Sequence, residues 1–161
     1  VQTQNAQIAL WFKVIWMQFK VMNRSEAIQY AKNKHAERAA IVSITSRSRS
    51  NASLSIGGGN NIQSIIFLSF DDTESSIGGI SELQAKNIID YIDSMKNRVD
   101  RIIVHCDAGV SRSAGVCAAI EKYLGYNDSN IFDNPKYIPN MRCYRTVLNY
   151  GMKKKEENDN A

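Results

Sequence analysis

Short apolar runs alternate along this chain with stretches in which apolar residues recur every three or four positions. Four of the runs have the length and the Ile, Val and Phe content of strands: Phe19–Met22, Ala39–Thr45, Ile62–Phe70 and Arg101–Cys106. The stretches between them carry helix signals. Asn23-Arg-Ser25 can cap a helix reaching about Lys34, with Ala27, Ile28 and Ala31 turned inward. Ser81-Glu-Leu-Gln84 has the form of a capping box and opens a helix to about Lys96, whose Leu83, Ile88, Ile89, Ile92 and Met95 fall near one face. A third helix starts near Ser113, and Gly125 can stop it. A last one runs from Asn140 through Tyr150 with Gly151 ending it, and Lys153 to Ala161 remains as a charged, frayed tail.

Strands alternating with helices predict an α/β fold: a three-layer single domain with a mainly parallel central sheet of about four or five strands flanked by helices. Ligands of such sheets bind at the carboxyl ends of the strands, so the loops after the third and fourth strands are where chemistry is expected. The domain is expected over residues 19–151, between an apolar segment, 1–18, and the tail at 152–161. Ile8 to Phe19 is too short for a membrane span and is broken by Lys13. It also lacks the basic leader and small-residue cleavage site of a signal peptide. It reads either as a vector-derived stretch or as an extra element packed on the domain.

Composition narrows the function. A chain of 161 residues can bury a core without staples. The three cysteines (106, 117 and 143) include no close pair, and with two histidines no metal site is expected. Reduced thiols fit a cytoplasmic setting. The net charge of +4 would attract a dianionic phosphate, but without a basic stripe interleaved with aromatics neither nucleic acid nor membrane is an expected partner.

The strongest chemistry lies in Arg101-Ile-Ile-Val-His-Cys-Asp-Ala-Gly-Val-Ser-Arg-Ser113, which reads as strand, loop and helix start. Cys106 then sits at the end of a strand facing the amino end of a helix. A loop closing there, residues Asp107, Ala108, Gly109, Val110, Ser111 and Arg112, points backbone N–H groups at one spot and can cradle a tetrahedral oxyanion such as phosphate, sulfate or vanadate. The helix dipole and the Arg112 guanidinium favour a thiolate nucleophile at Cys106. Arg112 can grip two phosphate oxygens at once. Gly109 can take the positive φ that curls the loop, and Ser113 puts a hydroxyl beside the sulfur. His105, on the opposite face of the alternating strand, is expected to orient the loop.

His105-Cys-Asp-Ala-Gly-Val-Ser-Arg-Ser113 resembles the signature of cysteine-dependent protein tyrosine phosphatases, in the form carried by the dual-specificity phosphatases. The resemblance implies the phosphotyrosine protein phosphatase-like fold and hydrolysis of phosphotyrosine, with phosphoserine and phosphothreonine, through a phosphocysteine intermediate and without a cofactor. It also implies an aspartate acid on an earlier loop. Asp72, followed by Thr73, resembles that acid, with Asp71 as the rival; the adjacent side chains diverge, so one of them faces the sulfur. Arg47 and Arg49 can hold a second substrate charge or line a solvated loop. The water-positioning glutamine loop of tyrosine-specific members has no clear counterpart, although Asn134 or Asn140 can approach the site. Cys117 can pair with Cys106 under oxidation or sit in the core. An acidic Asp107 at the mouth is expected to repel polyphosphorylated head groups. The alternatives are a phosphate-binding module without turnover and a phosphatase of a phosphoinositide or an RNA 5′-phosphate.

Overall fold

A computed structural model of the protein describes residues 16–161. The segment 1–18 therefore lies almost wholly outside the described residues. Four strands form one sheet: β1 (Gln18–Met22), β2 (Ala39–Thr45), β3 (Ile62–Ser69) and β4 (Arg101–His105). Their spatial order is β1-β4-β2-β3, and every neighbouring pair is parallel. The helices are α1 (Arg24–Lys32), α2 (Glu82–Met95), α3 (Arg112–Tyr123), the short α4 (Ser129–Phe132) and α5 (Met141–Asp159). Among these described elements no helix is long and apolar enough to cross a membrane.

Period-two alternation divides the strand residues between two cores. Ala40, Val42, Ile44, Ile102 and Val104 face the layer built from α2, α3 and α5, together with Ile88, Ile89, Ile92, Val116, Ile120 and Val147. Ala39, Ile41 and Ile103 face the other way, against Tyr30 and Ala31 of α1. The sheet thus lies between helices on both faces, as the alternation of strands and helices predicts.

Two caps form as their sequences indicate. Asn23 accepts from the Glu26 amide, and Ser81 and Gln84 exchange both bonds of a capping box. Elsewhere the details differ. Leu83 is exposed rather than inward, because it stands 140° around the helix from Ile88 and the α2 stripe begins at Ala85. On α1 it is Tyr30, not Ile28, that joins Ala27 and Ala31 in the core. The sequence signals also miss α4.

Gly151 does not end the last helix. α5 continues through it to Asp159, and the expected frayed tail is helical. The glycine instead lets α5 lie close to α3: a Cβ there would fall 2.6 Å from Cδ2 of Tyr123 and 3.2 Å from Cδ1 of Ile89. Beyond it Lys154 pairs with Asp90 and Asp93 of α2, at 2.8 Å each, and Lys155 donates to the Tyr123 carbonyl. These contacts hold the charged end against the domain. Gly151→Ala is accordingly expected to destabilise by about 1–3 kcal/mol through overpacking, measured by urea unfolding. A glycine serving only as a helix stop would show the opposite sign, since alanine is favoured in helices by about 1 kcal/mol.

Candidate active site

β4 ends at His105, whose register partner on β2 is Ser43. Both are fully buried, and the Ser43 hydroxyl lies 2.6 Å from His105 Nε2. The other ring nitrogen, Nδ1, is 3.2 Å from the carbonyl oxygen of Cys106. Burial lowers the pKa of this imidazole, with the Arg24 and Arg112 charges adding to the shift and the Cys106 carbonyl opposing it. His105 therefore braces the end of β4 as a neutral ring. Cys106 follows on the opposite face and is 2% exposed.

The loop after Cys106 curls tightly against the β1–α1 junction. Gly109 has φ of 68°, and a Cβ on it would stand 2.5 Å from the Asn23 nitrogen and 2.7 Å from the Met22 carbonyl carbon. Glycine is required here on both grounds. Two backbone bonds fasten the curl: Cys106 N–H donates to the Met22 carbonyl and Arg24 N–H donates to the Asp107 carbonyl, each at 3.3 Å. The Gly109 N–H then points at the Cys106 Sγ from 3.2 Å, and Ser113 Oγ stands 3.0 Å from the same sulfur. The N–H groups of residues 107, 108, 110 and 111 have no acceptor among the described residues. They lie at the amino end of the twelve-residue α3, where the helix dipole favours negative charge.

Arg112 is 5% exposed and its charge is met from three loops. It donates to Asp107 Oδ2 at 2.9 Å, to Ser46 Oγ at 3.0 Å and to the Phe70 carbonyl at 2.8 Å. Its Nε is buried without an acceptor. A buried donor left unmatched beside free loop amides is what an oxyanion would satisfy.

Asp107 corrects a sequence expectation. It does not present a bare negative charge at the mouth. Besides Arg112 it takes a hydrogen bond from Ser46 Oγ at 2.8 Å, pairs with Arg49 at 2.9 Å and lies 3.7 Å from Arg24 Nη1. Partial burial alone would push its carboxyl pKa up, but the Ser46 hydrogen bond and the Arg112 and Arg49 guanidinium groups outweigh that and hold it below the usual range. Repulsion of polyphosphorylated head groups therefore has no basis in this residue.

The two candidate acids diverge as their adjacency requires. Asp71 turns outward to Arg47, accepting from its backbone N–H and its Nε at 2.9 Å each. Asp72 turns toward the loop: its Oδ1 accepts from Ser111 Oγ at 2.8 Å and from Asn140 Nδ2 at 2.9 Å. Both bonds fall on one oxygen, and Oδ2 has no hydrogen-bond partner among the described residues. Asn140 also donates to the Thr73 carbonyl at 3.2 Å, caps α5 and ties its own N–H to the Ser111 carbonyl. Of the two asparagines that could approach the site, it is Asn140 that meets Asp72.

The structure thus gathers Cys106, Ser113, Arg112, the curled loop and Asp72. It leaves Asp71 and Arg47 paired away from the sulfur, and it ties Arg49 to Asp107. Ser46 goes unnoticed in the sequence, as one serine among many in a polar stretch. Cys117 is buried and directed at Glu121, 3.6 Å away, and all three cysteines are free. Among the described residues no group of three or more His, Cys, Asp or Glu side chains is placed to hold a metal ion.

No protein-family model matches the chain. Human dual specificity protein phosphatase 1 is 61% identical to it over 31 residues, which span 19% of this chain and 8% of that protein. Mouse dual specificity protein phosphatase 2 is 58% identical over 31 residues, again 19% of this chain and 10% of the relative. Among solved structures, human DUSP28 superposes with a TM-score of 0.58 at 14% identity, covering 89% of this chain and 97% of that one. Human tyrosine phosphatase-like serine/threonine/tyrosine-interacting protein gives 0.57 at 17% identity, covering 88% and 95%. PTPMT1 in complex with PI(5)P gives 0.55 at 11% identity, covering 89% and 96%. The chain is dual-specificity phosphatase-like in fold along most of its length, and in sequence over a short stretch.

The Asp107–Arg112 pair carries a pH signature. Because the folded carboxyl titrates below its unfolded value, its contribution is fully present above the unfolded pKa of about 3.9 and is lost as pH falls through the folded value. Asp107→Asn is expected to lower stability by about 1–3 kcal/mol at pH 7, by leaving a buried guanidinium unmatched. The gap from the parent protein should narrow toward pH 3, as followed by urea unfolding at the two pH values.

Proposed function

We propose that this chain is a cysteine-dependent phosphatase that hydrolyses phosphotyrosine, as well as phosphoserine and phosphothreonine, in proteins or peptides. One observation carries the reading. A sulfur at a strand end accepts from an amide and lies in hydrogen-bond reach of a hydroxyl, beside free loop N–H groups and the unmatched Nε of Arg112. Such a cradle suits a phosphoryl group placed over a nucleophile.

Chemistry in this cradle has two steps. The Cys106 thiolate attacks phosphorus in line, so an S–P bond forms as the P–O bond to the alcohol or phenol breaks. Loop amides and Arg112 hold the equatorial oxygens, and Asp72 delivers a proton from Oδ2 to the departing oxygen. A water molecule then attacks the phosphocysteine, giving its proton back to Asp72, and the S–P bond breaks to release phosphate. Ser113 receives the returning charge on sulfur, at its 3.0 Å contact. Asn140 and Ser111 keep Asp72 directed at the loop throughout.

A second reading is favoured by the compensated Asp107. With its charge met by Arg112 and Arg49, and with Arg24 close by, the mouth does not oppose a polyanionic substrate. A phosphoinositide is therefore the rival substrate class.

Turnover of p-nitrophenyl phosphate, inhibited by vanadate, is the expected activity, and Cys106→Ser should remove it by a factor on the order of 10³ or more while the fold persists. Unchanged hydrolysis in that variant rejects the scheme, and phosphate binding without turnover by the parent protein identifies a capture module instead. Asp72→Asn is expected to lower kcat on alkyl phosphates by about 10²–10⁴-fold. A comparable loss confined to Asp71→Asn would reassign the acid. A panel of phosphopeptides, phosphoinositides and 5′-triphosphorylated RNA ranks the substrate classes by kcat/KM.

A further inference from the structure

Away from the sulfur, β1 and the residues leading into it, the last turn of α3, and α4 with the loops around it enclose a half-open cavity of about 400 Å³. None of its lining residues hydrogen-bonds Cys106, Arg112 or Asp72. Its walls include Trp16, Phe19 and Tyr126, and Glu121 of α3 opens into it. The Phe19 and Tyr126 rings meet edge to face at 5.1 Å and 70°, and Trp16 and Tyr126 at 6.3 Å and 67°. The Tyr126 ring thus stands steeply to both of the others.

Glu121 is the anomaly. It is 3% exposed, yet among the described residues its carboxylate accepts a hydrogen bond from the Cys117 thiol alone and forms no ion pair with a Lys, Arg or His. A buried carboxylate normally has a cation or several donors. Of the three asparagines in the lining, Asn127 Oδ1 accepts from the Ser129 N–H and Asn134 Oδ1 from the Lys136 N–H, while Asn130 has no side-chain partner among the described residues. The Tyr126 hydroxyl accepts from the Met17 N–H. A primary ammonium must satisfy three N–H donors, and two of those three amide oxygens already accept one hydrogen bond. A cation with no N–H to satisfy needs only negative charge and ring faces, and this cavity supplies both.

We infer that the cavity formed by Trp16, Phe19, Tyr126 and Glu121 is a binding site for a methylated ammonium group. The carboxylate and the ring quadrupoles attract the charge, and the ring surfaces cover the methyl groups. The pH behaviour follows from the surroundings of Glu121. Burial first, with help from the charge of Asp128 and against the Cys117 hydrogen bond, raises its carboxyl to about 7. The groups facing it are Cys117 on its own helix, Asp128 before α4 and Tyr137 from the loop before α5. Asp128 is itself held by the Tyr144 hydroxyl at 2.7 Å. Glu121 is the group that changes charge near neutrality, and the anion is the form that binds a cation, so affinity rises from pH 6 to pH 8.

Choline, titrated into the full chain by isothermal calorimetry at pH 8, tests this. Saturable binding with one site and a roughly millimolar Kd is expected. Dimethylbutanol, its neutral carbon isostere, should bind at least about tenfold more weakly. Glu121→Gln, which keeps the volume, should weaken choline binding about tenfold and remove the pH dependence. Trp16→Leu, at an exposed ring whose loss leaves the core intact, should weaken it severalfold. Absence of saturable binding to the parent protein overturns the inference. So does equal binding of the neutral isostere, or unchanged affinity in Glu121→Gln and Trp16→Leu.

Discussion

A guanidinium held out of water is the constraint around which this molecule is arranged. Removing such a charge from solvent costs several kcal/mol unless it is met by well-placed partners. Arg112 is met by Ser46 just after β2, the Phe70 carbonyl just after β3 and Asp107 just after β4. Those three strands are consecutive in the sheet, in the order β4-β2-β3, and all are parallel. Their carboxyl ends therefore open side by side, and one arginine at the start of α3 can reach all three. The remaining strand joins from the other edge: β1 ends in Met22, and Gly109 closes against it and the following Asn23. Every strand of the sheet contributes its carboxyl end to one cluster.

This arrangement explains which features were legible in the sequence. The strand–loop–helix around Cys106 is local: an apolar run, a glycine and a helix-forming stretch lie within some twenty residues, so periodicity and turn chemistry suffice. The parallel sheet follows from the alternation of elements, and the divergence of Asp71 from Asp72 follows from their adjacency. What distant segments do to each other was not legible. Asp107 read as a mouth acid because its countercharges, Arg49 and Arg24, lie 58 and 83 positions away in the chain, at 2.9 and 3.7 Å in space. Gly151 read as a helix stop because no local pattern announces the Tyr123 ring packed against it. In each case a long-range contact overrode a sound local preference.

The contact between Asn140 and Asp72 shows how the last helix enters the same design. Asn140 caps α5 with its side-chain oxygen and uses its side-chain nitrogen on Asp72 and on the Thr73 carbonyl. The loop before α5 is fastened to the loop after Cys106 by two further bonds, Ile138 N–H to the Val110 carbonyl and Asn140 N–H to the Ser111 carbonyl. Gly115 of α3 permits the approach, since a Cβ there would stand 2.4 Å from the Asn140 carbonyl oxygen. A helix-capping residue thus fixes both the start of α5 and the orientation of the proposed acid, through a side chain whose own backbone is tied to the loop.

Asp107 is half-buried and Glu121 buried, and their surroundings differ in a way that separates a charge already met from one left open. Asp107 meets Arg112 and Arg49 at 2.9 Å each and keeps its carboxyl low, so its charge is consumed in holding the loop together. Glu121 meets a thiol and rises to about 7. A carboxylate that merely filled the core would serve worse than the Leu or Met that fits the same helix position without desolvation cost. An acid kept there, with ring faces beside it and no cation among the described residues, is poised to be met by a cation that those residues do not supply. That asymmetry, and not the acidity of either group alone, is the ground for assigning the first to the architecture of the loop after β4 and the second to the proposed recognition of a cation.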